Sequence, residues 1–348
     1  MAMTVLQQSY SYETSSIQTI IFGDGTAFID RVTDQSNSRE QLYLSRYDAS
    51  EQKSVVLKKL PDRTVRFDKG GWLTYELSEG GERYVSHIGN LEKRVRVGEG
   101  FNVQANNGGF ALFSSNRSEY YRLGSDDPIT LNLGWSDWMM GSAGCAFASI
   151  GAPDEQSPYD VVVYLFDSGG KFNIRNKGNQ GIHISDIDES GEIYGGIFEW
   201  LPRYGEGFRF PHNGKWMVGS DVYWHKMKPA IWSHSKAVKI LPLPTDIAKL
   251  YGTRIITKLG NDEYLLESRT DKKEWHELPS LPPDFEIIDE RGALEFYLYK
   301  SGKVTNIEKL IEKEFPDSVV LIDFDRSNRQ LLFQSGKYPN YTMTFVQL

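Results

Sequence analysis

Three segments carry residue types whose spacing suits chemistry. In Asp186-Ile-Asp-Glu-Ser-Gly-Glu-Ile-Tyr194, oxygen ligands stand at the first, third and fifth positions (Asp186, Asp188, Ser190) and Gly191 at the sixth. A calcium loop wraps its ion with that spacing. The pattern then breaks, because Ile197 occupies the twelfth position, where a bidentate Glu closes the shell, and Tyr194 stands where a shorter propeller loop needs a carboxylate. The expectation is a structural turn and no cofactor, with calcium at Asp186, Asp188 and Ser190 as the alternative.

The second segment, Phe198 to Trp232, is dense in aromatic rings, and three of the six histidines, His212, His225 and His234, fall between 212 and 234. Aromatic rings on loops stack on sugars or anchor a protein partner. Those on strands fill the wedges of a β-fold, the expected place of Trp216 and Trp232. The loop residues Tyr204, Tyr223, Trp224 and His225 are therefore the expected contact residues. Neither a strand-borne His-x-His nor a helical His-x-x-x-His occurs, so zinc is not expected. The third segment, Trp135-Ser-Asp-Trp138, offers a second aromatic cluster, with an inter-blade packing connection as its plainer reading.

No Gly-x-Ser-x-Gly elbow, P-loop or dinucleotide fingerprint appears, so the catalytic residues are unassigned and the balance leans away from an enzyme. The net charge of -8 argues against a nucleic-acid or anionic-membrane binder, whose affinity rests on Lys and Arg. Cys145 is the single cysteine, which rules out an internal disulfide and a thiolate cluster and suits a reducing compartment. The N-terminus has no basic and apolar leader pattern, and no apolar run reaches the roughly 18 residues of a membrane span. A cytoplasmic location and no membrane insertion follow as expectations.

The elements that must position these residues are strands. Helical periodicity is confined to Thr245 to Tyr251 and Ile307 to Phe315. The rest reads as short runs of Tyr, Phe, Val, Ile and Thr between turns rich in Gly, Asn and Asp. One hairpin recurs: Phe22-Gly-Asp-Gly-Thr-Ala-Phe28, Phe67-Asp-Lys-Gly-Gly-Trp-Leu73, Gln104-Ala-Asn-Asn-Gly-Gly-Phe110, Gly141-Ser-Ala-Gly-Cys-Ala-Phe147, Ile187-Asp-Glu-Ser-Gly-Glu-Ile193, Pro211-His-Asn-Gly-Lys-Trp-Met217, Leu259-Gly-Asn-Asp-Glu-Tyr-Leu265 and Phe324-Asp-Arg-Ser-Asn-Arg-Gln-Leu331. Successive copies mostly lie roughly 37 to 48 positions apart, the period of a four-stranded propeller blade. A second hairpin, clearest in Phe296-Tyr-Leu-Tyr-Lys-Ser-Gly-Lys303, completes each unit.

Ile187-Asp-Glu-Ser-Gly-Glu-Ile-Tyr-Gly195, with Ala230-Ile-Trp232 and Phe296 to Lys303, resembles the HAF-type extracellular repeat, over about residues 180 to 345. The resemblance implies a propeller, carries no catalytic residues and adds a secreted or periplasmic location as an alternative.

The sequence thus predicts one all-β domain over 1–348, a propeller of about seven four-stranded blades, with six or eight as alternatives. The expected blades are 17–60, 64–97, 101–133, 138–176, 182–243, 254–309 and 317–348, the last completed by 4–12. The turns at Ser190 and Asn213 are too close to head separate blades, so an inserted hairpin or an eighth irregular blade is expected between them. The expected role is a non-enzymatic scaffold that binds a protein or glycan through Tyr204, Tyr223, Trp224, His225, Trp135 and Trp138. The alternative is a carbohydrate-active hydrolase or lyase with carboxylates in a central channel.

Overall fold

The computed structural model describes residues 8–131, 139–150, 161–199, 209–218, 227–248, 252–269 and 294–348, less 15, 17, 35–38, 61–62, 78–80, 115–116, 126, 143–145, 166–169, 175–179, 213–214, 235, 313, 316–318 and 338–339. These residues form all-antiparallel four-stranded sheets, each a meander whose strands pair in chain order. Six sheets come each from one stretch of chain, spanning 19–59, 63–97, 102–131, 139–174, 180–240 and 252–306. Continuous stretches alone therefore do not reach the expected seven. The remaining four-stranded sheet is composite: Val320–Asp325, Gln330–Lys337 and Asn340–Gln347 are joined by the N-terminal strand Gln8–Thr14, which runs antiparallel to Asn340–Gln347. Pairing the two ends covers an edge that would otherwise stay open. We number the sheets as blades one to seven in the order given, the composite sheet last.

The strand period of two explains why such sheets stack in a ring. In Gly109–Phe113, a middle strand of blade three, Phe110 and Leu112 pack toward blade two with Trp72, Val85 and Val97. The alternate residues Ala111 and Phe113 pack toward blade four with Phe147. Both faces are apolar, so the blade must be covered on both sides. Seven clusters of buried side chains, each shared by two consecutive blades, do this around the ring. Fully burying one Phe or Leu contributes roughly 1.5–3 kcal/mol. The seam between blades seven and one is an aromatic stack, with Tyr12 and Tyr47 at 4.1 Å and Tyr10 and Tyr47 at 5.6 Å between ring centres.

Each seam also carries a polar clasp, made largely by the turn residues of the repeat. The Phe67 amide donates to the Gln18 side chain at 3.2 Å, linking blade two to the residue just before blade one. Trp72 Nε1 donates to the Asn106 carbonyl at 3.1 Å, and Asn106 Nδ2 donates to the Gly141 carbonyl at 2.9 Å. Asp186 takes the Ser142 amide of blade four at 2.8 Å and the Thr257 hydroxyl of blade six. Arg329 of blade seven grips Glu263 of blade six through two bonds, at 2.7 and 2.9 Å. Asp323 takes the Ile21 amide at 2.8 Å and so ties blade seven to blade one.

Of the two outcomes expected near Ser190 and Asn213, an inserted hairpin is found: Arg209–His212 and Lys215–Val218 form a two-stranded sheet of their own within blade five. The described helical segments are Thr245–Ala248 and Ile307–Ile311. Pro242 and Pro244 precede the first, and Asn306 caps the second by accepting from the Glu308 amide at 2.8 Å.

Candidate functional site

Asp186–Tyr194 is a turn in which the carboxylates are already supplied with donors. Asp188 accepts from the Ser190 amide at 3.0 Å, the Ser190 hydroxyl at 2.6 Å and the Glu192 amide at 3.0 Å. The Tyr194 hydroxyl donates to it at 2.6 Å, and Lys258 Nζ lies 3.8 Å away. Burial pushes the Asp188 carboxyl up, but the donors from Ser190, Tyr194 and Glu192 and the Lys258 charge outweigh it and hold the pKa below its ordinary value. Gly191 follows at φ +80°, a conformation a β-carbon resists. Asp186 points the other way, into the clasp with Ser142 and Thr257, so the two carboxylates do not converge on one point. Among the described residues no group of three His, Cys, Asp or Glu side chains is placed to hold a metal ion.

Where the blades converge there is a cavity of about 280 Å³, touched by residues of blades two, five, six and seven. Its polar lining is Lys69, His183, Ser185, Arg254 and Glu267. Arg254 and Glu267 face each other on adjacent strands, and one guanidinium nitrogen reaches both carboxylate oxygens, at 3.1 and 3.0 Å. Another nitrogen of Arg254 touches His183 Nε2. Because a guanidinium can only donate, Nε2 accepts and Nδ1 carries the proton. Burial and the Arg254 charge depress the His183 pKa to about 3, so the ring is neutral at physiological pH. Burial raises Glu267, and the Arg254 charge opposes the rise. Asp323, on the strand behind the cavity, is raised by burial to about 6. The arrangement suits holding charges in place. Among the described residues that line it, the one carboxylate is Glu267, and Arg254 holds both of its oxygens.

Away from the axis, a groove of about 440 Å³ opens between blades five and six. Met227, Pro229, Ile240, Leu241, Leu243 and Ile247 line it. Met227 enters so closely that a β-carbon at Gly196 would overlap its thioether, which makes Gly196 a requirement of the groove wall. Ile240 on its wall is 45% exposed, and Val238, two positions before it in the chain, is 39% exposed.

The expected contact residues Tyr204, Tyr223, Trp224, His225, Trp135 and Trp138 all lie outside the described residues. Trp232 is buried in the wedge between blades four and five, as expected of a strand tryptophan. Met227 and Ile240 were missed. Met227 follows His225 by two positions and reads as one more apolar residue, while Ile240 sits in an unremarkable Val-Lys-Ile-Leu run. The signal available was the exposure pattern of a two-residue outer strand, Lys239–Ile240, which only the folded sheet defines.

No family model matches the chain, and no curated protein matches it. The likeness to solved structures is one of fold. The β-propeller domain of the Trilobed protease from Pyrococcus furiosus aligns with a TM-score of 0.51 at 10% identity, covering 98% of this chain and 94% of that one. Acylaminoacyl peptidase from Pyrococcus horikoshii aligns with a TM-score of 0.49 at 10% identity over 97% of this chain, which spans 52% of the peptidase. The alignment with the Trilobed protease domain shows a shared fold, and at 10% identity an activity is not implied. The chain is an all-β propeller of four-stranded blades.

Proposed function

We infer that this propeller is a non-enzymatic binding scaffold, and that a protein partner seats apolar side chains in the groove between blades five and six. The observation that carries the reading is an open apolar groove whose wall includes the exposed Ile240. Anchors of this kind, ringed by polar groups, supply most of the energy of protein interfaces. Tyr204, Tyr223, Trp224 and His225 are proposed as further contacts, the last three because they shortly precede Met227 in the chain. The proposal extends to Trp135 and Trp138 on composition alone.

Photo-crosslinking tests this reading. A benzophenone amino acid replacing Ile240 is expected to capture a discrete partner from an extract of the source cells. The same probe replacing Ile256, which lines the axial cavity, is expected to capture none. Equal capture from both positions, or none from Ile240, contradicts the reading. The alternative hydrolase or lyase needs a second carboxylate across the axial cavity from Glu267. An oligosaccharide that raises the melting temperature of the wild type and not of Glu267→Gln favours that alternative.

A further inference from the structure

A second groove lies on the opposite part of the ring, between blades one and two, with a volume of about 360 Å³. Its floor is Leu60, Leu73 and Tyr75, all buried, with the partly buried Leu77 and Leu91 toward the opening. Its charged lining is Lys58, Lys59, Arg94 and Glu92. Glu92 is engaged by Lys58 at 2.9 Å across the two blades, so the balance left at the opening is basic. That sign runs against the chain as a whole, whose net charge is -8.

The groove is bordered by the outermost strand of blade one, Lys53–Lys59, in which every residue is exposed. Val56 is 59% and Leu57 45% exposed, and the register shift opposite Leu44 and Ser45 leaves Leu57 as an extra residue on the edge. The outer strands of blades two, three, five and six are protected in ways expected of sheet edges. The one in blade two, Asn90–Val97, exposes Glu92, Lys93, Arg94 and Arg96. Those of blades three, five and six, Ile129–Leu131, Lys239–Ile240 and Lys303–Asn306, are only three, two and four residues long. Blade one alone among these combines length, apolar exposure and an adjoining groove.

We propose that the groove between blades one and two, with the edge Lys53–Lys59, binds an extended acidic segment of another protein whose apolar side chains enter over Leu60, Leu77 and Leu91. An extended segment presents alternate side chains to opposite sides. One side then supplies the apolar groups and the other the carboxylates that meet Lys59 and Arg94, a complementarity that favours acidic over basic partners. The surface is separate from the groove between blades five and six, so either proposal can fail without the other.

The probe is a fluorescein-labelled octapeptide alternating Asp and Leu, measured by anisotropy against the full chain, with Lys/Leu and Asp/Ser octapeptides as controls. The Asp/Leu peptide is expected to bind at least about tenfold more tightly than either control. Its affinity is expected to fall several-fold between about 50 and 300 mM salt. Lys59→Glu combined with Arg94→Glu is expected to weaken it by at least about tenfold. Melting temperature checks that this variant folds, and Ile240→Asp, in the other groove, is expected to leave binding unchanged. Absent binding, equal binding of the Lys/Leu peptide, or unchanged affinity in the folded double variant overturns the proposal. So does a concentration-dependent dimer by light scattering that Val56→Lys dissociates, since the occupant is then a second copy of this chain.

Discussion

The axial side of this propeller and its outer circumference use the same kinds of residue for opposite ends. Near the axis, Arg254, Glu267, His183 and Asp186 are each taken up by an intramolecular partner, and those partners sit on neighbouring strands or blades. On the circumference, Met227, Ile240, Leu77 and Leu91 line grooves open to solvent, and the charges beside them are exposed. Polar groups removed from water must be paired, because an unpaired buried charge costs several kcal/mol. Apolar groups at an open groove gain by covering each other with something from outside. The axis therefore adds polar ties to the apolar wedges that hold the ring together, and the circumference carries the grooves where contacts are proposed.

The sharpest way to break this contrast is to empty a clasp. Asp186→Ala strips the acceptor from the Ser142 amide and hydroxyl, the Ile187 amide and the Thr257 hydroxyl. It is expected to cost about 3–5 kcal/mol in urea unfolding. A loss below about 1 kcal/mol shows that the clasp is ornamental. Next, Glu267→Gln leaves the Arg254 cation without its counter-charge and is expected to cost about 3 kcal/mol, whereas Arg254→Met with Glu267→Leu recovers most of it. Failure of the double variant to recover assigns the pair a role beyond stability.

Acid titration sharpens the contrast further, since two buried axial groups act in opposite directions. Burial raises Asp323 to about 6 in the folded chain, so the folded state holds its proton more tightly than the unfolded state, where the group titrates near 4. Its contribution therefore falls as pH rises from about 4 to about 6, by up to about 3 kcal/mol. Urea melts of wild type against Asp323→Asn should show the gap between them shrinking over that range. His183, held down to about 3 by burial and Arg254, is protonated more readily when unfolded. Stability from that group is full above about 6.5 and is lost as pH falls toward 3. His183→Gln is expected to flatten this acid loss, and an unchanged acid slope contradicts the neutral ring.

The repeat was legible because its signals are local. Alternating apolar residues and Asx-Gly turns within a few positions specify hairpins, and hairpins with two apolar faces require neighbours. Asp186 and Asp188 were readable as a turn that mimics a calcium loop for the same reason. What Asp186 does was not readable, because its partners Ser142 and Thr257 lie 44 and 71 positions away, and Ile21 lies 302 positions from Asp323. The grooves were hidden likewise, since each wall belongs to a different blade. The composite sheet was legible as well, because 317–348 offers three strands and 4–12 supplies an apolar alternation for a fourth.

The smallest expected effect on stability belongs to the circumference: Ile240→Asp, at an exposed position, should stay within about 0.5 kcal/mol of wild type. Compared with Glu267→Gln, it gives the most direct test of the account, with partner capture and melting temperature measured for both variants. The account predicts that Ile240→Asp loses capture and keeps its melting temperature, while Glu267→Gln keeps capture and melts lower. The reverse pattern, capture lost with the axial pair and retained at the groove, would contradict it.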